Sequence, residues 1–196
     1  MNTDAPLFGA VRRVVTGHDE QHRSVFTRDE MVEPISAALF GRTGIHWLYG
    51  ADEMPTLPVQ EPIPAHTAFY PPPGGLRFGF LNLPPRGEPQ PTGLDVKAAM
   101  AELDSKLPGM ASQLDPHHPG MHRTATVDAA VVLNGLVTLE LDDGATVELI
   151  AGDTVIQNGT RHRWTNRGPL PASIAYFLWG VPDAQSSQGI VHNSVD

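Results

Sequence analysis

Residues 122–166 read HRTATVDAAVVLNGLVTLELDDGATVELIAGDTVIQNGTRHRWTN. Short runs rich in β-branched and apolar residues alternate with turn dipeptides at close intervals, which is the pattern of consecutive antiparallel strands. The predicted strands are Thr124–Leu133, Val137–Leu141, Ala145–Ile150, Thr154–Gln157 and His162–Asn166, with a further one at Ser173–Trp179 after Gly168-Pro169. Asn134-Gly135, Asp142-Asp143-Gly144, Ala151-Gly152 and Asn158-Gly159 separate them. Asn-Gly and Asp-Gly steps supply the positive φ that tight hairpins need. Such a string predicts an all-β sandwich or barrel.

Alternate side chains of a strand share a face, so His122, Thr124, Thr126 and Asp128 are expected to point one way. His162 and Trp164 share a face on a later strand. If the sheet closes on itself, both sets converge inside it. Two imidazoles and a carboxylate on rigid strands suit a divalent ion (iron, manganese, nickel or zinc) with positions left open for substrate.

Working outward from this segment, the reading is sparser. Val11–Val15 and Ser24–Thr27 are predicted strands around a polar turn, followed by Ile45–Tyr49 and Leu76–Leu83. Met31–Phe40 holds at most a turn of helix, because Pro34 interrupts it. Pro55–Pro64 carries four prolines and is expected to be extended loop or edge. One helix is predicted, over Asp95–Leu107: Val96, Ala99, Met100, Leu103 and Leu107 fall on one face. Thr92 and Asp95 have the spacing of a capping box, and Pro108-Gly109 ends the helix. A lone helix among strands reads as a lid or side-packing element. With no internal repeat, the chain divides into N-terminal strands, proline-rich loop and helix (1–110), a barrel core (111–183) and a polar tail (184–196), within one domain.

Bulk composition narrows the function. The 196 residues are enough to bury a real core, and 19 glycines and 19 prolines favour many turns over a helical bundle. The net charge of -9, without a Lys/Arg cluster, argues against nucleic acid or an anionic membrane surface as partner. There is no cysteine, hence no disulfide, thiolate ligand or Cys nucleophile. Met1–Ala10 lacks the basic and apolar regions of a signal peptide, and no apolar run is long enough to span a bilayer, so a cytoplasmic protein is expected. Nucleophile elbows, phosphate loops, dinucleotide fingerprints and His-Glu-x-x-His are absent.

The two segments resemble the paired motifs of the cupin superfamily. His122 matches the first histidine of the first motif, Asp128 occupies its glutamate position, and Gly135 closes it. Gly152, Gly159, His162 and Asn166 match the second motif. Thr124 stands where a second histidine is usual, Asp replaces Glu, and Gln157 replaces a proline. The pattern His-Arg-Thr, Asp, Gly-Thr-x-His-x-Trp is similar to that of a cupin-2-like subgroup. The resemblance implies an all-β fold: a single cupin barrel (double-stranded β-helix, jelly roll) with an N-terminal strand extension and one side helix.

The resemblance also implies a metal-dependent enzyme in which His122, Asp128 and His162 hold the ion. The expected substrate is a small organic acid or an aromatic, polyketide-like molecule, and the expected chemistry a decarboxylase, dioxygenase or cyclase/isomerase. Gln157 and Thr124 would position water or substrate, and Trp164, Phe177 and Trp179 would form the pocket wall. Other readings stand beside these. His122 and His162 could be hydrogen-bonded barrel histidines without metal, and Asp128 an acceptor that orients one of them. The chain would then be a small-molecule binding module or a structural, oligomerising protein. Arg123 and Arg161 are expected on the surface, as are His117 and His118. His18, His22, His46, His66 and His192 receive no role. A homodimer is expected, paired through the Val11–Thr27 hairpin.

Overall fold

A computed structural model of the chain describes residues 8–59, 63, 66–89 and 92–184. The tail expected beyond Asp183, apart from Ala184, and part of the Pro55–Pro64 loop lie outside the described residues. The strands, all paired antiparallel, are β1 (Val11–His18), β2 (Ser24–Val32), β3 (Gly44–Ala51), β4 (Leu76–Leu83), β5 (Thr126–Asn134), β6 (Leu136–Glu140), β7 (Thr146–Ile150), β8 (Thr154–Asn158), β9 (Arg163–Asn166) and β10 (Ala172–Gly180). One helix, α1 (Val96–Lys106), interrupts them. No helix among the described residues is long and apolar enough to cross a membrane.

Two sheets build the body, and the fold is the all-β barrel that the sequence predicts. One has the order β3-β4-β10-β5-β8, the other β7-β6-β9. Beside the sequential pairs β3–β4 and β6–β7, β10 lies between β4 and β5, β8 pairs with β5 and β9 with β6, and such long crossovers are how a jelly roll closes around its core. Val132, Val137, Leu139, Leu149 and Ile174 pack between the sheets. A second cluster, Ile45, Phe69, Leu103, Leu107, Met110 and Leu178, seals the flank under α1. Hairpin β1–β2 forms a separate two-stranded sheet.

The Asn134-Gly135 turn shows why glycine is needed there. Gly135 has φ +79°, and a Cβ on it would come 2.5 Å from Cβ of Ala172. Three local expectations differ from the structure. The helix between Met31 and Phe40 is a 3-10 turn over Ala38–Phe40, because β2 runs on to Val32 and Ile35 exchanges N–H···O bonds with Ile45 at 2.8 Å. The N-cap of α1 is Asp95, whose carboxylate accepts from the Ala98 N–H at 3.1 Å, and not Thr92. Along α1, Ala99, Leu103 and Leu107 are buried, whereas Val96 in the first turn is exposed.

Candidate active site

A cavity of about 480 Å³ opens between the sheets. His122, Thr124, Asp128, Gln157, His162 and Trp164 line one side of it. Leu39, Phe40, Ile45, Phe69, Leu81 and Met110, all from the first 110 residues, add apolar lining. Alternation does the positioning. Along β5, Thr126, Asp128, Ala130 and Val132 are buried and the residues between them are not.

His122 and His162 stand outside the regular strands and meet in an isolated antiparallel bridge. Each backbone N–H donates to the other's carbonyl, at 3.0 and 2.9 Å. The ring centroids are 4.3 Å apart. Nδ1 of His122 lies 3.1 Å from the Gly120 carbonyl, and Nδ1 of His162 lies 2.9 Å from that of Thr160. A carbonyl only accepts, so each Nδ1 carries the proton and each Nε2 keeps its lone pair free. Burial lowers the pKa of both imidazoles. For His162 the proximity of His122 adds to burial, and the value falls to about 4.

Asp128 and Gln157 are direct partners across β5 and β8. Both are buried, and Oδ1 of Asp128 and Nε2 of Gln157 have no hydrogen-bond partner. Burial pushes the Asp128 carboxyl up to about 6, against a smaller opposing effect of the Thr126 hydroxyl. Thr124 and Thr126 share a hydrogen bond of 2.7 Å. Trp164 stands edge-on to His162, with centroids 6.0 Å apart.

Phe177 and Trp179 are not pocket wall. They lie on the exposed outer face of β10, whereas Ile174, Tyr176 and Leu178 point into the cavity. Neighbouring strand positions face opposite ways; aromatic character singled out the wrong phase. Tyr176 is the residue that sequence reading missed. Its hydroxyl is buried without a partner, and burial raises its pKa strongly. Tyr70, also on the cavity, is raised by burial and by the nearby Asp128 charge. The alternation Ile174, Tyr176, Leu178 held the signal for Tyr176; nothing local marked Tyr70. Arg123 and Arg161 face outward in ion pairs, to Asp183 and to Asp115 and Asp142 respectively.

The expected ion site is only partly assembled. Two imidazoles with free Nε2 lone pairs are a sound beginning for one. Among the described residues, however, no three His, Asp, Glu or Cys side chains are grouped to hold an ion. Asp128 is the cross-strand partner of Gln157 on the same cavity.

No protein-family model matches the chain. It is 30% identical over 180 residues to phomopsin biosynthesis cluster protein D of Diaporthe leptostromiformis, covering 91% of this chain and 79% of the relative. Over 184 residues it is 27% identical to the cupin-domain-containing oxidoreductase fogC of Aspergillus ruber, covering 91% of this chain and 77% of that one. Among solved structures, a cupin-2 domain protein from Shewanella frigidimarina aligns over 52% of this chain and 68% of its own, at 12% identity and a TM-score of 0.31.

Proposed function

Because this chain belongs to the cupin superfamily, we propose that it is an enzyme acting on a small, largely apolar molecule whose polar end docks against Asp128, Gln157 and Tyr176. One observation carries the reading. Three buried polar atoms, Asp128 Oδ1, Gln157 Nε2 and Tyr176 Oη, border one apolar cavity, and none has a hydrogen-bond partner. Buried polar groups are normally satisfied, so a cluster left open on a cavity wall is a site awaiting a ligand's own donors and acceptors. Gln157 and Tyr176 each offer a donor and Asp128 an acceptor, a set that matches a carbonyl or hydroxyl on an aromatic or polyketide-like body. The relatives' names, a biosynthesis cluster protein and an oxidoreductase, agree with small-molecule chemistry.

Asp128 is the proton-transferring group in this reading. With its pKa near 6, the carboxyl exchanges a proton readily close to neutral pH. The apolar wall keeps bulk water from the transfer. His122 and His162 would hold a divalent ion through Nε2, and such an ion would supply Lewis-acid or oxygen-binding chemistry. Thr124, in place of a histidine, favours a second reading, a barrel that binds its ligand without turning it over.

Metal content of untagged protein, measured by mass spectrometry, separates the two when paired with capture of small molecules from a metabolite extract. The enzyme reading expects a captured apolar molecule to return chemically changed, and Asp128→Asn to return it unchanged. Metal that falls in both His122→Ala and His162→Ala assigns the ion to the pair. A ligand captured and released intact by the wild type, loaded with iron, manganese, nickel or zinc, would sink the enzyme reading.

A further inference from the structure

Between Ile35 and Ile45 the chain makes an excursion and returns to its starting point. The two residues exchange N–H···O bonds at 2.8 Å, so the ends of residues 36–44 meet. A loop of this length with its ends tied together is an Ω-loop, a form that often carries function. Near its start, Ala37 is buried in one cluster with Leu103 and Leu107. Leu39, Phe40 and Thr43 then line the cavity. Residues 38–43 are all half-buried, so a single layer of chain separates this part of the cavity from solvent.

Polar contacts fasten the outer side of this loop. The Ala38 N–H donates to Oε2 of Glu102 on α1 at 3.0 Å, and Nζ of Lys106, one turn further on, donates to the Ser36 carbonyl at 2.7 Å. Glu102 and Lys106 also pair with each other. Toward the other end, Nη1 of Arg42 pairs with Glu88 at 2.8 Å. All four side chains keep some access to solvent, and ion pairs of that kind exchange readily for water. Directly after Phe40, Gly41 turns the chain at φ +58° and ψ −124°. Glycine enters and leaves such settings at low cost, because it has no Cβ.

We infer that residues 36–44 are the lid of the cavity, latched by Glu102, Lys106 and Glu88, and that Leu39 and Phe40 are the side chains through which it selects the apolar body of the ligand. This rests on the reading of the cavity as a ligand site. That site has two opposed needs: a ligand must pass its apolar lining, and the same lining must then keep water from Asp128. A fixed wall serves only the second. A wall held by contacts that water can replace serves both, opening to admit the ligand and closing over it. Leu39 and Phe40 travel with the loop, so a body that they cannot cover leaves the latches unmade. The helix is the post and not the lid, since Leu103 and Leu107 fix α1 in the core.

Thiol labelling of the full chain tests this, because the sequence has no cysteine of its own. Ala130→Cys puts a thiol on the cavity wall, and Val137→Cys puts one in the core between the sheets, away from the cavity lining. Dithiodipyridine, a small uncharged reagent, is the probe. Adding Glu102→Ala should speed labelling of the Ala130→Cys chain by about tenfold, the low end for losing a hydrogen bond to a charged acceptor. Labelling of the Val137→Cys chain should not change. Glu88→Ala, which frees the opposite end of the loop, should act in the same direction. Alanine suits a helix, so circular dichroism should show α1 retained in Glu102→Ala. Equal acceleration at both thiols would mean general loosening and overturns the inference. So does an unchanged rate for Ala130→Cys with both latch variants, which leaves the histidine bridge as the way in. Labelling needs no ligand, so it is independent of the metabolite capture: gated labelling over a barrel that changes no molecule supports the lid while the enzyme reading falls.

Discussion

Burial acts on Asp128 and His162 in opposite senses. The carboxyl is raised to about 6 and the imidazole lowered to about 4. A raised carboxyl binds its proton more tightly when folded, so its contribution to stability falls as pH rises from about 4 through 6. A depressed imidazole sheds its proton on folding, so its contribution falls as pH drops from about 6.5 toward 4. Between pH 4 and 6 the two slopes oppose each other, and His122 adds to the histidine side. Asp128→Asn should therefore raise the melting temperature at pH 8, by the equivalent of roughly 2–3 kcal/mol, and change it little at pH 4. His162→Gln should do the reverse, stabilising at pH 4.5 and leaving pH 8 nearly unchanged. Thermal melts across this range check both; parallel curves for wild type and variants would contradict the assignments. The site was legible at this scale because strand alternation is local: His122, Thr124, Asp128, Gln157 and His162 all border one cavity. Phase decides what an aromatic residue does, which is why Tyr176 and not Phe177 or Trp179 reaches that cavity.

At the scale of elements, turn chemistry made the strands from β5 to β10 readable to within a residue or two. The helix was equally plain, but its cap was not. Asp95 and Thr92 both have capping chemistry, and only the path of the backbone chooses between them. Asp95→Ala should cost about 1 kcal/mol by leaving the Ala98 N–H without its acceptor. Leu103, fully buried under the sheet, should cost about 2–5 kcal/mol as Leu103→Ala. Gly79 on β4 is more demanding. A Cβ there would collide with the His46 carbonyl and the Tyr176 hydroxyl. Gly79→Ala should destabilise the fold by about 1–3 kcal/mol. Because it also displaces Tyr176, ligand capture should weaken beyond what the loss of stability explains. Urea titration alongside capture at fixed folded fraction separates the two effects.

The whole molecule depends on pairings that no local pattern announces. Leu39, Phe40, Ile45 and Phe69 complete the cavity only because β3 and β4 join β10 and β5 in one sheet. Both strands are legible in the sequence, but nothing local says which strands they join, so the apolar wall was invisible while the polar one was plain. Arg77 is the extreme case. It is fully buried, yet donates to the carbonyls of Ala51, Ala68 and Phe69 and pairs with Asp52 at 2.5 Å. It ties two loops that lack regular structure to β4. Arg77→Met removes those donors at once and should cost about 3–5 kcal/mol, read by chemical denaturation.

The reciprocal backbone bonds between His122 and His162 make those two amides a gauge of the barrel mouth. Each is the other's protection, so neither hydrogen can exchange with solvent unless the strap between the two arches parts. Their exchange rates should rise and fall together, and a ligand that fills the cavity should slow both alike. Followed by deuterium uptake, the pair would time how often the chamber opens, before any substrate is known.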